Sequence, residues 1–229
     1  MPSAPPWRSN AIPREGRPVT TYLGFTVWEL EPDRREDPDS DYALSKVRLD
    51  SRAGLFTDDA LGPTPNESRP VGFLLRGRQE IAAFQAMLDA LQGRLTPFWL
   101  PTWRHDFRLV ADRAPGDLTL LVEGISYSRF GFSTVDYGSR HLALLKPEGG
   151  AIVAVYRGVT AAQDNGDGTE TLTLSATLGT AYPKDRTMVS FLSLVRFDDD
   201  APALRWHHQA LAEATLRVVD LNREAPAPA

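Results

Sequence analysis

Hydrophobic positions along this chain mostly recur at every second residue, and in one stretch they switch to the helical period. In "TTYLGFTVWELEP" (20–32), Tyr22, Phe25, Val27 and Trp28 supply β-preferring bulk on an alternating pattern, which predicts a strand. "YALSKVRLDS" (42–51) and "SRPVGFLLRGR" (68–78) predict two more, whereas "GLFTDDALGPTPNE" (54–67) carries the Gly, Pro and Asn of a long loop. Over 79–92 the period changes. Ile81, Phe84, Leu88 and Leu91 fall on one stripe of a 3.6-residue repeat, with Gln79, Glu80, Gln85, Asp89 and Gln92 mostly off it. Gly93 follows as the residue that stops this helix, since glycine accepts the left-handed conformation.

From 107 onwards the pattern is β again. "FRLVAD", "LTLLVEG", "HLALLKP", "AIVAVYRGVTAA", "TETLTLSATLG" and "MVSFLSLVRFDDD" are short apolar or alternating segments divided by Gly, Pro, Asp and Asn. Their close spacing predicts a barrel or sandwich, because parallel units would need longer helical crossovers. Residues 203–224 fit either strand pairs or a short helix, with strands at both ends the favoured reading, and "APAPA" (225–229) reads as a frayed tail. The expected fold class is mainly β with one α-helix, at about 79–92.

Residues 1–18 hold five prolines, which remove amide donors and fix φ, so they predict an extended arm. The arm reads either as solvated or as ordering on a neighbouring subunit. It has no apolar core of signal-peptide length, and no later apolar run approaches the ~20 residues of a membrane span. Membrane insertion is therefore not expected, and assembly in the cytoplasm is.

Composition narrows the chemistry. The 229 residues include no cysteine, which removes disulfides, thiolate metal sites, iron–sulfur clusters and cysteine nucleophiles together. A net charge of −5 argues against a broad nucleic-acid footprint. "DNGDGTET" (164–171) offers Asp164, Asp167 and Glu170 as oxygen donors, but it lacks the ligand spacing of a calcium loop and reads as a tight hairpin turn. His207 and His208 are adjacent, so on a strand they point to opposite faces; His105 and His141 complete the histidines, none in a metal-ligating spacing. His105–Asp106 as half of an acid–base pair, and Asp198–Asp200 as glycosidase carboxylates, are the remaining catalytic readings. Solvated or structural roles are favoured for both, and no enzymatic activity, metal or cofactor is expected. Phe98, Trp99 and Trp103 read as core that locks the helix onto the sheet through Phe84 and Leu88, in preference to a stacking platform.

"LLRGRQEIAAFQAMLDALQGRLTPFWLPTWRHDFRL" (74–109) resembles a pattern in tail-tip proteins of long-tailed, siphovirus-like bacteriophages: a strand, a Phe-bearing helix, a Gly-Arg turn and an "FWLPTW…D" segment. "SFLSLVRFDDDAPALRWHH" (190–208) resembles their closing segment. The nearest role is that of the distal tail protein, a hub ring joining the tail tube to the tip or baseplate. The resemblance implies a β-sandwich ring domain over 19–111 plus 188–224, an inserted OB-like β domain over 112–187, and a tail at 225–229. It also implies a homo-oligomeric, hexameric ring in the virion tail, with the tail tube protein and other tail-tip proteins as partners. An iron–sulfur cluster carried by a neighbouring minor tail protein of some phages is excluded here by the missing cysteines.

On this reading the subunit interface draws on Trp7 in the arm and on Arg76, Arg78 and Arg94 around the helix, facing acidic turns at 33–41 and 198–200 of the next subunit. Pairing within the chain, with Asp106 or Glu80, is the alternative. A carbohydrate- or receptor-binding module within 112–187, using Tyr127, Phe130 or Phe132 against a cell-surface glycan, is the second functional expectation. A cell-wall hydrolase is the third.

Overall fold

The computed structural model describes residues 20–33, 41–43, 46–50, 56–60, 66–134, 136–200 and 202–228. In chain order the elements are β1 (Thr21–Tyr22), β2 (Phe25–Val27), β3 (Asp41–Ala43), β4 (Lys46–Asp50), β5 (Phe56–Ala60), β6 (Asn66–Arg76), α1 (Arg78–Leu91) and β7 (Phe98–Pro101). There follow β8 (Thr119–Glu123), α2 (Tyr127–Phe130), β9 (His141–Glu148), β10 (Ala151–Asp164), β11 (Thr169–Leu174), β12 (Met188–Phe197), β13 (Ala203–His208) and β14 (Leu211–Asp220). The chain is mainly β, as its alternating pattern predicts.

Helix α1 matches the 3.6-residue stripe. It buries Ile81, Phe84 and Leu91 against a sheet in which β14 pairs with β6, β12 and β13, and β12 pairs with β7. Trp28 stands at the centre of this core, 5.3 Å from the Phe73 ring and 5.5 Å from Phe84, edge to face with the latter. The helix starts without a side-chain cap, because Gly77 occupies that position. Glu80 instead reaches back to accept the backbone N–H of Arg76 at 2.7 Å. At the other end Gln92 is the first left-handed residue, with φ 53°, and Gly93 continues the reversal at φ 63°. A Cβ on Gly93 would lie 2.6 Å from Asp200 Oδ1, so the glycine meets both a conformational and a steric demand.

The second lobe is a closed circuit of strands. β8 pairs with β11, β11 with β10, β10 with β9, and β9 with the first half of β12. The segment after β7 completes it, since Phe107 bridges Val189 on β12 and Leu109 bridges Val122 on β8. Phe107, Leu120, Val122, Leu142, Leu144, Leu172, Tyr182 and Val189 fill the interior. The "DNGDG" stretch is the β10–β11 reversal, with Gly166 and Gly168 at positive φ and Asp164 accepting the Gly166 amide.

The two lobes share β12. Met188–Phe191 pairs with β9, Leu192–Val195 with β7, and Val195–Phe197 with β14. A third core lies over this seam and contains Val27, Trp99, Trp103, Leu145, Tyr156, Met188, Leu192 and Leu194.

Four expectations are corrected. The 54–67 stretch is not a continuous loop: Phe56–Ala60 forms β5 and pairs with β4 as a separate two-stranded ribbon. A second helix exists, α2, a single turn too short to leave a period in the sequence. Residues 225–228 are not frayed, because Ala225 is buried, Pro226 is hydrogen-bonded to His141, and Pro228 packs against Gly158. Trp99 and Trp103 do not lock the helix. Phe98 and Leu100 face α1, and strand alternation turns Trp99 to the opposite face, where it joins Trp103 in the seam.

Candidate functional site

The seam between the lobes is where the chain concentrates its unusual chemistry. Trp99 is fully buried and donates its indole N–H to the Tyr22 carbonyl at 2.8 Å. Its ring lies 4.6 Å from that of His141, on β9. The His141 Nε2 lies 2.9 Å from the Pro226 carbonyl and its Nδ1 lies 3.1 Å from the Tyr22 hydroxyl. A carbonyl can only accept, so the Nε2 carries the proton and Nδ1 accepts from Tyr22. Burial disfavours the imidazolium and pushes the His141 pKa down to about 4, against the smaller opposing pull of the Pro226 carbonyl. His141 is therefore a neutral clasp for the first strand and the last segment of the chain, with no room left to ligate a metal.

The "FWLPTW…D" run ends in a tight backbone reversal. Trp103 sits at φ 55°, unusual for a residue with a bulky side chain. Asp106 holds the reversal by accepting the Phe191 amide at 2.7 Å and the Thr102 hydroxyl, while Ser190 donates to the Arg104 carbonyl at 2.7 Å. Through this one carboxylate oxygen Asp106 braces the reversal against β12.

Beside this reversal opens a cleft of about 280 Å³, lined by Trp103, Leu145, Pro147, Ile152 and Met188, with Glu31, His105, Lys146, Asp185 and Arg186 among its polar groups. Lys146 is only 8% exposed; its ammonium donates to the Ala181 carbonyl at 2.8 Å and pairs with Glu148 at 3.0 Å. The Trp103 indole N–H is buried with no hydrogen-bond partner among the described residues.

The remaining expected site residues are dispersed. Trp7 lies outside the described residues. Arg76 and Arg78 are exposed at the start of α1, and Arg78 donates to Gln209 at 3.2 Å. Arg94 has acidic partners in its own chain: its amide donates to Asp200 at 2.9 Å and its guanidinium lies 3.7 Å from Asp198. The acidic 198–200 turn thus docks onto the end of α1. His207 pairs with Glu213 at 2.9 Å, and His208 accepts the Ala210 amide at 3.1 Å.

In the barrel lobe the candidate aromatics divide. Tyr127 is core, with its hydroxyl bonded to the Ser139 carbonyl at 2.9 Å. Phe132 is half-buried beneath Arg140, whose guanidinium lies 4.4 Å above its ring. Phe130 is 65% exposed, and Ile125 and Tyr137, on either side of α2 in sequence, are exposed too. Glu170 is turned away from the hairpin. Its carboxylate accepts the amides of Ile125, Tyr127 and Ser128 and the Ser128 hydroxyl, all within 3.0 Å. Burial alone would raise its pKa, but these donors outweigh it and hold the carboxyl below its ordinary value.

The chain matches no protein-family model and no curated protein sequence. Lys146 carries no signal in the sequence, and the sequence places Glu170 in a hairpin turn and His141 in no spacing that suggests its partners, because each owes its role to segments distant in sequence.

Proposed function

We propose that this chain is a structural subunit of a long-tailed phage tail tip, acting as a distal tail hub in a ring between the tail tube and the tip. The observation that carries this reading is the position of the residues that resemble that family. Residues 74–109 run from the end of β6 through α1 and β7 into the closing segment of the barrel, and so form the frame on which both lobes are built. In this proposal the helix-bearing lobe supplies the ring and the barrel is the OB-like domain carried outside it. The ring is a hexamer, and tail tube and tip proteins bind its two faces. Ring subunits associate head to tail through two different surfaces. The exposed Arg76 and Arg78, together with β13, which bears Trp206 at 52% exposure, are the candidates on the helix lobe.

Mass photometry and negative-stain microscopy of the purified chain test this reading directly. Ring-shaped particles at about six times the subunit mass are expected. A monomer that stays monomeric and is absent from tail particles removes the proposal.

The exposed Phe130, Ile125 and Tyr137 favour a second reading, in which the barrel binds a cell-surface glycan, since exposed rings stack on sugar faces. Glycan-array binding that disappears in Phe130→Ala supports it. Tyr127→Ala is unsuitable for that test, because Tyr127 is part of the barrel core.

A further inference from the structure

We infer that Asn165, in the turn of the β10–β11 hairpin, is a site of spontaneous deamidation whose rate is set by a latch from Thr169 and Thr171. The inference does not depend on the tail-tip reading or on ring formation.

In this reaction the backbone nitrogen of the following residue, having lost its proton, attacks the side-chain carbonyl carbon of asparagine. A carbon–nitrogen bond forms, the bond from that carbon to Nδ2 breaks, and ammonia leaves. Water then opens the cyclic succinimide to aspartate or to isoaspartate, which routes the backbone through the former side chain and lengthens it by one carbon. Water is the one co-reactant. A Cβ on the attacking residue obstructs the approach, so glycine is the most permissive neighbour. Of Asn10, Asn66, Asn165 and Asn222, which are the asparagines of the chain, Asn165 alone precedes glycine.

Asn165 and Gly166 are both exposed, so water reaches the site. Asp167–Gly168 is a competing target in the same turn. Thr169, however, donates its amide at 3.0 Å and its hydroxyl at 2.6 Å to Asp167 Oδ1. Those bonds, the hydroxyl's first, hold the Asp167 carboxyl below its ordinary pKa, and an ionised carboxylate resists nucleophilic attack.

The fold slows the reaction at Asn165 without blocking it. Nδ2 donates to the Thr169 hydroxyl at 2.9 Å and to the Thr171 hydroxyl at 3.1 Å, and Oδ1 accepts from Thr171 at 3.2 Å. The side chain is thereby held against β11 and kept from swinging its carbonyl carbon onto the Gly166 nitrogen. That nitrogen is restrained too. It donates to Asp164 Oδ1 at 2.9 Å, and a carboxylate acceptor disfavours loss of its proton. All of these are exposed hydrogen bonds, the class that opens most readily in the native state.

Conversion acts beyond the turn. It removes both Nδ2 donors and sets a new carboxylate between Asp164 and Asp167. The Gly168 carbonyl accepts the Gly124 amide at 2.8 Å, and Glu170 holds the amides of Ile125, Tyr127 and Ser128. The longer isoaspartate backbone therefore disturbs the register through which the hairpin steadies the start of α2.

Peptide mapping of the full chain during a warm, neutral incubation tests the assignment. Mass spectrometry reads conversion on the tryptic peptide that follows Arg157, and carboxyl methyltransferase labelling reads isoaspartate. Asn165 is expected to convert ahead of Asn10, Asn66 and Asn222, and more slowly in the native chain than in urea. Thr171→Val removes two of the three latch bonds and should speed native conversion roughly tenfold, as the loss of two modest hydrogen bonds implies. Hydrogen exchange at Ile125 and Tyr127 should rise with the converted fraction. Earlier conversion at another asparagine overturns the site. An unchanged rate in a folded Thr171→Val overturns the latch, as does a wild-type rate equal to that in urea, a comparison that needs no variant. Unaltered exchange at Ile125 and Tyr127 in the converted chain overturns the coupling to α2.

Discussion

In the helix lobe, a sheet of β6, β14, β12 and β7 has one face covered by α1, and β13 pairs with β14 alone among the described residues, as an edge strand. In the barrel lobe the sheet covers itself, because residues 107–109 join β12 to β8 and close the circuit. The first arrangement depends on a few large contacts between separate elements. The second distributes its stability over a ladder that returns to its start. The helix lobe should therefore be sensitive to single side chains in α1, whereas the barrel should be sensitive at the places where its strands are joined.

The largest expected effect is at Phe84. Its ring contacts both Trp28 and Phe73, so Phe84→Ala leaves a cavity between helix and sheet and should cost about 3–5 kcal/mol. Urea titration measures the loss, and peptide-resolved hydrogen exchange locates it. Because β12 belongs to both lobes, exchange should rise in β9 as well as in α1. A barrel whose exchange is untouched would break the idea that the shared strand couples the lobes.

The corresponding weak point of the barrel is Glu170. Removing its carboxylate strands three backbone donors at the start of α2, and Glu170→Ala should destabilise by about 3 kcal/mol. Glu170→Gln should recover part of this, since one amide oxygen still accepts. The folded-state pKa is depressed, so this contribution is present above the unfolded value and is lost as pH falls through the folded one. Thermal unfolding of both variants across the acidic range checks size and sign.

Two buried groups give the lobes opposite responses to acid. His141, on a barrel strand at the seam, titrates in the folded chain at about 4, below its ordinary 6.5. The unfolded chain binds its proton first, so stability falls as pH drops from 6.5 to 4, by about 3 kcal/mol in full. Asp220, on β14 of the helix lobe, behaves in reverse. Burial raises its pKa to about 6, although Arg69 lies 3.3 Å away and opposes the shift. There the folded chain binds the proton first, and stability rises as pH drops from 6 towards 4. The native protein should show little net slope between those values. His141→Gln should gain stability on acidification in this window, and Asp220→Asn should lose it. Equal slopes in the two variants would remove the contrast.

The smallest effect is expected at Gly93. Alanine there must hold φ near 63° and displace Asp200, at about 1–2 kcal/mol. The helix lobe alone should register it by hydrogen exchange, with the 198–200 turn released from Arg94.

These contrasts were only partly legible in the sequence. The stripe of Ile81, Phe84, Leu88 and Leu91 placed α1 to within one residue at each end, because period and glycine stop agreed. The barrel strands were visible because alternation and turn residues coincide there, as at Gly166 and Gly168. The "FWLP" run was misassigned in part although its period of two held the answer, with Phe98 and Leu100 on one side and Trp99 on the other. By contrast, nothing local in "FTDDA" signals a strand, since Asp58 and Asp59 disfavour one. β5 is set by its partner β4. The burial of His141 and the docking of 225–228 depend on contacts more than 80 residues apart in sequence, for which periodicity carries no information.

The continuity of β12 has a mechanical consequence. A ten-residue strand spans roughly 33 Å, and here each part of it is laced to a neighbour. Bending one lobe towards the other would require several ladder bonds to open together, so the seam has no soft hinge. Load applied to the helix lobe passes along β12 in shear, with its hydrogen bonds sharing the force in parallel. The β10–β11 turn, outside that path, would yield by peeling one bond at a time. A pulling experiment anchored at the two ends of β12 should thus meet the stiffest axis of the molecule.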